Sequence, residues 1–412
     1  MKAENKFKLR VSKKKLLDKI ENQTPASETK MNRSKRANRF GWFGKGFLIA
    51  VFSLLLLFLI FNINYLTPSK MKEHMKAVFA DFGHGEGFPY HFSSDDIIDF
   101  FAFSSGDKVI LTNNDLIILN GSANEVLHYK HSMSNPIAKP SRDRILLFDQ
   151  GSTKAIILNQ SGQVLSFPNE NKILCADISD SGKSVIVTRD DSQKEVLSVY
   201  NFSGKKMMEW EKGEGYIIDC TISANGNFVA LGIVDTENAM QTVNVFTFSV
   251  SNAKQKGHMQ FKSSYLYDLD FLTTNDLAVL CNNKISVLNA KCELKSDLEL
   301  SADSKQLFTD KKGHIINVYS LYNNGNYTID VYNTSLKKIY SKDSEGEIVK
   351  VSSDGSSLAT LFTNKTAQVN KIGGNVTFTC KLDIDPMFIL SNNKTVFVCS
   401  NGTVEKVKAT RK

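Results

Sequence analysis

Cys175 to Asp190 reads CADISDSGKSVIVTRD, and its Asp177, Ser179, Ser181 and Gly182 stand in the order D-x-S-x-S-G. That is the front half of a calcium loop. An EF-hand loop needs a bidentate Glu at its twelfth position, where this stretch has Thr188. Its seventh to twelfth residues, KSVIVT, read as strand. A serine nucleophile needs a base in reach and commonly a G-x-S-x-G elbow, which the chain lacks. His128 and His131 form H-x-x-H in LHYKHSMSNP, a spacing that puts them on opposite faces of a strand. The carboxylate pairs Asp95-Asp96 and Asp190-Asp191 sit beside strand ends, where solvated turns explain them. A glycosidase would need carboxylates converging in one cleft. No Walker or dinucleotide glycine pattern occurs. The sequence nominates no catalytic residue, no cofactor site and no metal ligand.

The element that holds Asp177 recurs. IIDCTISANGNFVALGIV (217–234) and EIVKVSSDGSSLATLF (347–362) repeat an alternating strand, a tight Ser/Asn/Asp/Gly turn and an apolar strand. Carboxylates are lost between copies, while a small polar residue and Gly persist, which suits a turn with positive φ. A third strand follows (VLSVYNF, TVNVFTF, TAQVNKI), then a more polar fourth (KKMMEWE, VTFTCKL). First strands begin near Ile97, Asn135, Ile173, Ile217, Leu266, Lys305, Glu347 and Met387, a mean spacing of about 41 residues. Four-stranded units at roughly 40–45 residues are blades of a β-propeller. The expected fold is all-β, an eight-bladed propeller over 91–412, with seven blades as the alternative count. The eighth unit supplies only three strands before the chain ends, and FPYHFS (88–93) is positioned to donate the fourth.

Charge divides the chain. Residues 1–45 carry 14 Lys and Arg against 4 Asp and Glu, a net of +10, and the remainder is net −2. The propeller therefore has no electrostatic basis for nucleic-acid binding. Gly46 to Leu66 is a 21-residue run without charge, long enough to span a bilayer core as a helix. Arg33, Lys35, Arg36, Arg39 and Lys45 precede it, and Trp42 and Tyr65 stand at its ends as interfacial anchors. Positive charge stays inside, so a cytoplasmic N-terminus and an extracytoplasmic propeller at the cell membrane are expected. Thr67-Pro68 opens a short helical stalk over 67–90. The arm reads as partly disordered, with FKLRVSKKKLLDKIEN as an amphipathic stretch suited to lipid or a partner. All six cysteines follow the span, mostly inside apolar runs, which favours buried free thiols over disulfides.

The turns SDSG, SANG and SSDG resemble the strand-turn-strand element of bacterial WD40-like and quinoprotein-like propellers. GEGFPYHF (85–92), KVILTNNDLIILNGSANEVLHYKHSMSNPIAK (108–139), RILLFDQGS (144–152) and ADISDSGKSVIVTRD (176–190) resemble a clostridial family of uncharacterised single-pass membrane proteins. That resemblance implies a basic arm, one helix and a propeller ectodomain, and it supplies no catalytic residue. The quinoprotein tryptophan docking repeats are absent. The expected function is a non-enzymatic envelope platform that binds another envelope protein or a wall polymer. A propeller enzyme acting on wall glycan or peptide, recognisable by carboxylates converging in the central channel, is one alternative. A single-pass sensor is the other.

Overall fold

The computed structural model describes residues 49–54, 56, 68–80, 83–93, 96–103, 105–212, 215–237, 239–262, 264–322, 325–374, 376–392 and 395–407. The basic cluster Arg33, Lys35, Arg36, Arg39 and Lys45, the anchors Trp42 and Tyr65, and most of the expected span lie outside them. Met1–Met71 and Lys72–Lys412 are separate compact units. In the first, 49–54 is helical and exposes Ile49, Phe52 and Leu54. Among the described residues no helix is long and apolar enough to cross a membrane.

The second unit is an eight-bladed propeller. Every blade is a four-stranded antiparallel sheet. The inner strands are β2 (Ile97–Ala102), β6 (Pro136–Pro140), β10 (Lys172–Ile178), β14 (Tyr216–Ile222), β18 (Leu266–Phe271), β22 (Ser304–Thr309), β26 (Ile348–Ser353) and β30 (Phe388–Asn392). Each begins within a residue of the start expected from the repeats. Second strands such as ILLFD and DLAVLC carry unbroken apolar runs of four and five residues because both of their faces are covered by neighbouring blades. Fourth strands alternate, as in EVLHYK, because they form the rim. The core is correspondingly divided. Eight apolar clusters fill the eight blade interfaces, with Leu116 and Ile145 between blades 1 and 2 and Val398 and Leu361 between blades 7 and 8.

The ring closes on the eighth blade. β1 (Tyr90–His91) pairs antiparallel with β32 (Thr403–Val407), setting Tyr90 opposite Val404 and His91 opposite Thr403. Phe92 N–H continues the ladder to Gly402 O at 3.0 Å. Phe88 packs on Phe397 with ring centroids 4.9 Å apart. The donated strand covers an edge that would otherwise pair with another chain. Replacing Phe88 with Ala removes this anchor and should cost about 2 kcal/mol, roughly half the loss for a fully buried Phe. Thermal unfolding followed with light scattering checks it: a lower midpoint with earlier scattering is expected, and an unchanged midpoint contradicts the role assigned to β1.

Candidate functional site: the central channel and its two mouths

Asp177 is a strut between blades. Its Oδ1 accepts from Ile178 N at 2.8 Å, and its Oδ2 accepts from Ile222 N and Thr221 Oγ1 of the next blade, both at 3.0 Å. The turn beside it closes on itself: Ser179 Oγ accepts from Lys183 N at 3.0 Å, and Gly182 sits at φ +79°. A Cβ on Gly182 would lie 2.5 Å from the Phe202 ring, so packing as well as φ demands glycine. His128 bonds Asp115 at 2.8 Å on the outer strand β5 (Glu125–Lys130), while His131 lies past the strand's end. Burial lowers the His131 pKa. Asp190 caps its own turn through Ser192 Oγ and Lys194 N, and Asp95 falls outside the described residues. Among the described residues no three His, Cys, Asp or Glu side chains could hold a metal ion. All six cysteines are free thiols, five of them buried.

The charged centre is elsewhere, on the inner strands. Six of them carry a β-bulge near their start, between Ile97 and Asp99, Ile173 and Cys175, Ile217 and Asp219, Leu266 and Asp268, Ser304 and Gln306, and Ile348 and Lys350. A bulge leaves one residue unpaired and re-aims its neighbour. The polar neighbours then bond the bare edge of the next inner strand. Asp219 Oδ2 accepts from Leu269 N at 2.8 Å, and Gln306 spans Val349 O and Val351 N; further along its own strand, Asp270 accepts from the Thr309 hydroxyl. Aligning the repeats shows the signal as IID, IID, LYD, SKQ and IVK, a polar third residue in five of the six bulged strands, with ILC in the sixth. Read singly, each of these residues is an ordinary strand polar group.

These residues form one electrostatic system. Burial pushes the carboxyls of Asp268 and Asp270 up to about 7 and that of Asp219 up to about 6. Repulsion from Asp219 adds to the rise at Asp268, and repulsion from Asp268 and Asp177 adds to it at Asp270. Lys139 opposes the rise at all three. Burial works against the Lys139 charge too, but Asp177, Asp268, Asp219 and Asp270 outweigh it and hold its pKa above the ordinary lysine value. Asp99 is raised by burial, with Lys350 and Lys139 countering. All these side chains keep partial solvent access despite their depth. The channel is thus an acidic well with a built-in ammonium, in which burial and mutual repulsion raise three carboxyls toward neutrality.

The two mouths differ. In an antiparallel blade the first-to-second and third-to-fourth turns share one face, and the other loops share the opposite face. Glu73, Gly83, Gly85 and Gly87 of the chain's own N-terminal side strap the first face. Arg144, only 2% exposed, donates from Nε to Glu73 Oε1 of α1 (Pro68–Ala80) at 2.7 Å and from Nη1 to Phe202 O at 2.9 Å. Its guanidinium stacks 3.4 Å from the Phe202 ring centroid. Asn159 Nδ2 also donates to Glu73, at 3.2 Å. Gly83 and Gly85 then bond Asn120 and Ser122 on the turn of blade 1. The segment expected to be a stalk is therefore tied to the propeller. Lys311 of blade 6 reaches Ala102 O of blade 1 at 2.8 Å and bridges this mouth.

The opposite face has no strap among the described residues, and it exposes large apolar side chains. Tyr216 and Ile218 lie on β14, Tyr265 and Tyr267 at the start of β18, and Leu321 and Tyr322 in a loop of blade 6. Ile218 and Tyr267 are the bulged residues immediately before Asp219 and Asp268. The described loops of this face hold eight acidic and two basic residues, against six and eight on the strapped face. A groove of about 450 Å³ lies away from both mouths, between the rims of blades 1 and 2. Along it Tyr129 bonds Gln163 and Lys154 bonds Ser132.

Two outcomes follow. Glu73→Ala orphans a buried guanidinium, a loss of about 3 kcal/mol; chemical denaturation should show it, and a change within error would remove the strap's structural role. For the channel, a carboxyl raised on folding holds a proton that the unfolded chain has released. Its contribution is full below the unfolded pKa near 4 and is lost as pH rises through about 6 to 7. Asp268→Asn should therefore raise stability at pH 8 by at least about 1 kcal/mol, the worth of one unit of displacement, and change little at pH 4.5. Melting profiles across pH test this, and equal effects at both values contradict the assignment.

No curated protein matches the chain. The computationally designed Ika8 protein aligns at 13% identity with a TM-score of 0.59, over 79% of this chain and 99% of its own. Sqt1 of Saccharomyces cerevisiae aligns at 11% identity and TM-score 0.54, over 80% of this chain and 100% of its own. BamB of Moraxella catarrhalis aligns at 10% and 0.50, over 78% and 97%. At such identities these likenesses establish the propeller fold alone. The model of a family of unknown function, DUF5711, matches residues 93–409, from the end of the closing strand to the end of β32, and the chain belongs to that family.

Proposed function

We propose that this is a single-pass envelope protein whose external propeller serves as a non-enzymatic binding platform for another envelope protein or a wall polymer. The observation that carries the reading is the asymmetry of the two faces. One is taken by the chain's own strap, and the other presents exposed large apolar side chains on a rigid frame, where binding loops commonly sit. Single exposed apolar residues are ordinary on a protein surface, whereas six on three adjacent blades are a patch. The span Gly46–Leu66, preceded by Arg33, Lys35, Arg36, Arg39 and Lys45, supports an N-terminus in the cytoplasm. The exposure of Ile49, Phe52 and Leu54 on the described part of its helix accords with burial in lipid.

A second reading has one specific observation behind it. Asp219, Asp268 and Asp270 titrate near neutrality in a channel, as general acids do. Against it, Asp219 and Asp270 are committed to bonds with the next blade, and Lys139 already compensates the cluster. The platform reading is the stronger. Native membranes test its anchoring. The chain should resist alkaline carbonate extraction, and an impermeant maleimide should label Tyr322→Cys but leave Thr24→Cys unlabelled in intact cells. Release by carbonate, or labelling at position 24, would overturn it. Wall hydrolysis abolished by Asp268→Asn would favour the enzyme instead.

A further inference from the structure

We propose that the unstrapped face over blades 4 to 6 docks a cationic protein segment with interspersed apolar side chains. This rests on the platform reading and names the face and the chemistry of its partner. Tyr216 is 60% exposed, Tyr265 58%, Tyr267 50% and Tyr322 80%, with Ile218 and Leu321 beside them. Tyrosines give a partner large contact area at low entropic cost and present ring faces to cations. The charge of the face selects the partner. Across the whole face the described loops hold eight acidic residues and two basic ones; over blades 4 to 6 they hold Asp303 and Glu347 and no basic residue. Lys305, nearby, is paired with Glu347 at 3.2 Å. An approaching anion meets Asp303 at the rim and the Asp219 and Asp268 carboxyls beneath it, whereas a Lys or Arg finds opposite charge there.

The bulges join the patch to the channel. Ile218 and Tyr267 precede Asp219 and Asp268 directly, so the apolar rim and the acidic well occupy consecutive positions on β14 and β18. A basic side chain inserted between the tyrosines points at carboxyls that Lys139 alone compensates. The strapped face offers no comparable site. Its described loops are net basic, and Lys311 bridges its mouth. A wall polyanion would be repelled by the free face, and a purely apolar partner would leave its carboxylates buried and unpaired.

The test uses the full chain in detergent and two labelled dodecapeptides, alternating Arg/Leu and alternating Glu/Leu, read by fluorescence anisotropy. Saturable Arg/Leu binding is expected, weakened at least tenfold by the double substitution Tyr267→Ser and Tyr322→Ser and weakened by salt. The Glu/Leu peptide should not bind. Equal binding of both peptides, or no effect of the tyrosine substitutions, overturns the proposal. A photo-crosslinking side chain at Tyr322, compared with one at Thr334 on the strapped face, separates this from the wider reading. Capture in native membranes through position 334 alone sinks this inference and leaves the platform standing. Capture through neither sinks the platform. A cross-link from position 322 to a second copy, or to the chain's own residues 1–45, also overturns it.

Discussion

Eight inner strands turn a bare backbone edge toward one axis, and the propeller depends on how those edges are satisfied. Backbone N–H and C=O groups in a narrow channel need partners. Here the partners include side chains of the preceding blade, with Asp177 on Ile222, Asp219 on Leu269 and Gln306 on Val349 and Val351. Carboxylates are strong acceptors for such amides, but the four on β10, β14 and β18 repel one another. Lys139 is what makes the arrangement tolerable, since its ammonium acts on Asp177, Asp219, Asp268 and Asp270 together. A structural need for edge acceptors thus creates an acidic well, and the well gives the molecule its chemistry.

Closure by β1 and β32 solves the same problem at the rim. The eighth blade has three strands from the C-terminal end, and the fourth comes from residues 90–91. The strap is a consequence. On the N-terminal side of β1, Glu73 bonds Arg144 on a turn of blade 2, and Gly83 and Gly85 bond a turn of blade 1. Those bonds occupy one face and leave the other open. Arg144 shows how firmly, since a guanidinium at 2% exposure holds only with its carboxylate, its carbonyl and its ring all in place.

Blade number, strand starts and the closing strand were legible because each is a local pattern repeated about every 41 residues. Turn glycines such as Gly182 and Gly226 carry positive φ in each copy and mark the same corner. The channel was not legible residue by residue. Asp219, Asp268 and Lys139 come from three blades, up to 129 positions apart in the chain, and become one site only when the ring closes. Asp177 drew attention through a local motif, and its partner Ile222 lies in the next repeat. The strap's ion pair was equally hidden, because Glu73 and Arg144 are 71 residues apart and neither sits in a motif.

The bulges connect architecture to recognition. A regular inner strand would alternate its side chains and keep Ile218 and Tyr267 paired within the sheet. The inserted residue turns these two out, at 42% and 50% exposure, while directing Asp219 and Asp268 to their places in the well. The same distortion therefore supplies the acceptor that joins one blade to the next and the apolar side chain at the channel mouth. Blade 2 shows no such bulge and contributes Lys139 instead. The opposite charge thus enters from a blade whose inner strand is built differently, which keeps the compensating cation apart from the apolar rim on blades 4 and 5. A ligand approaching that rim meets aromatic and aliphatic surface first and negative charge beneath it, and both come from the way adjacent inner strands are held together.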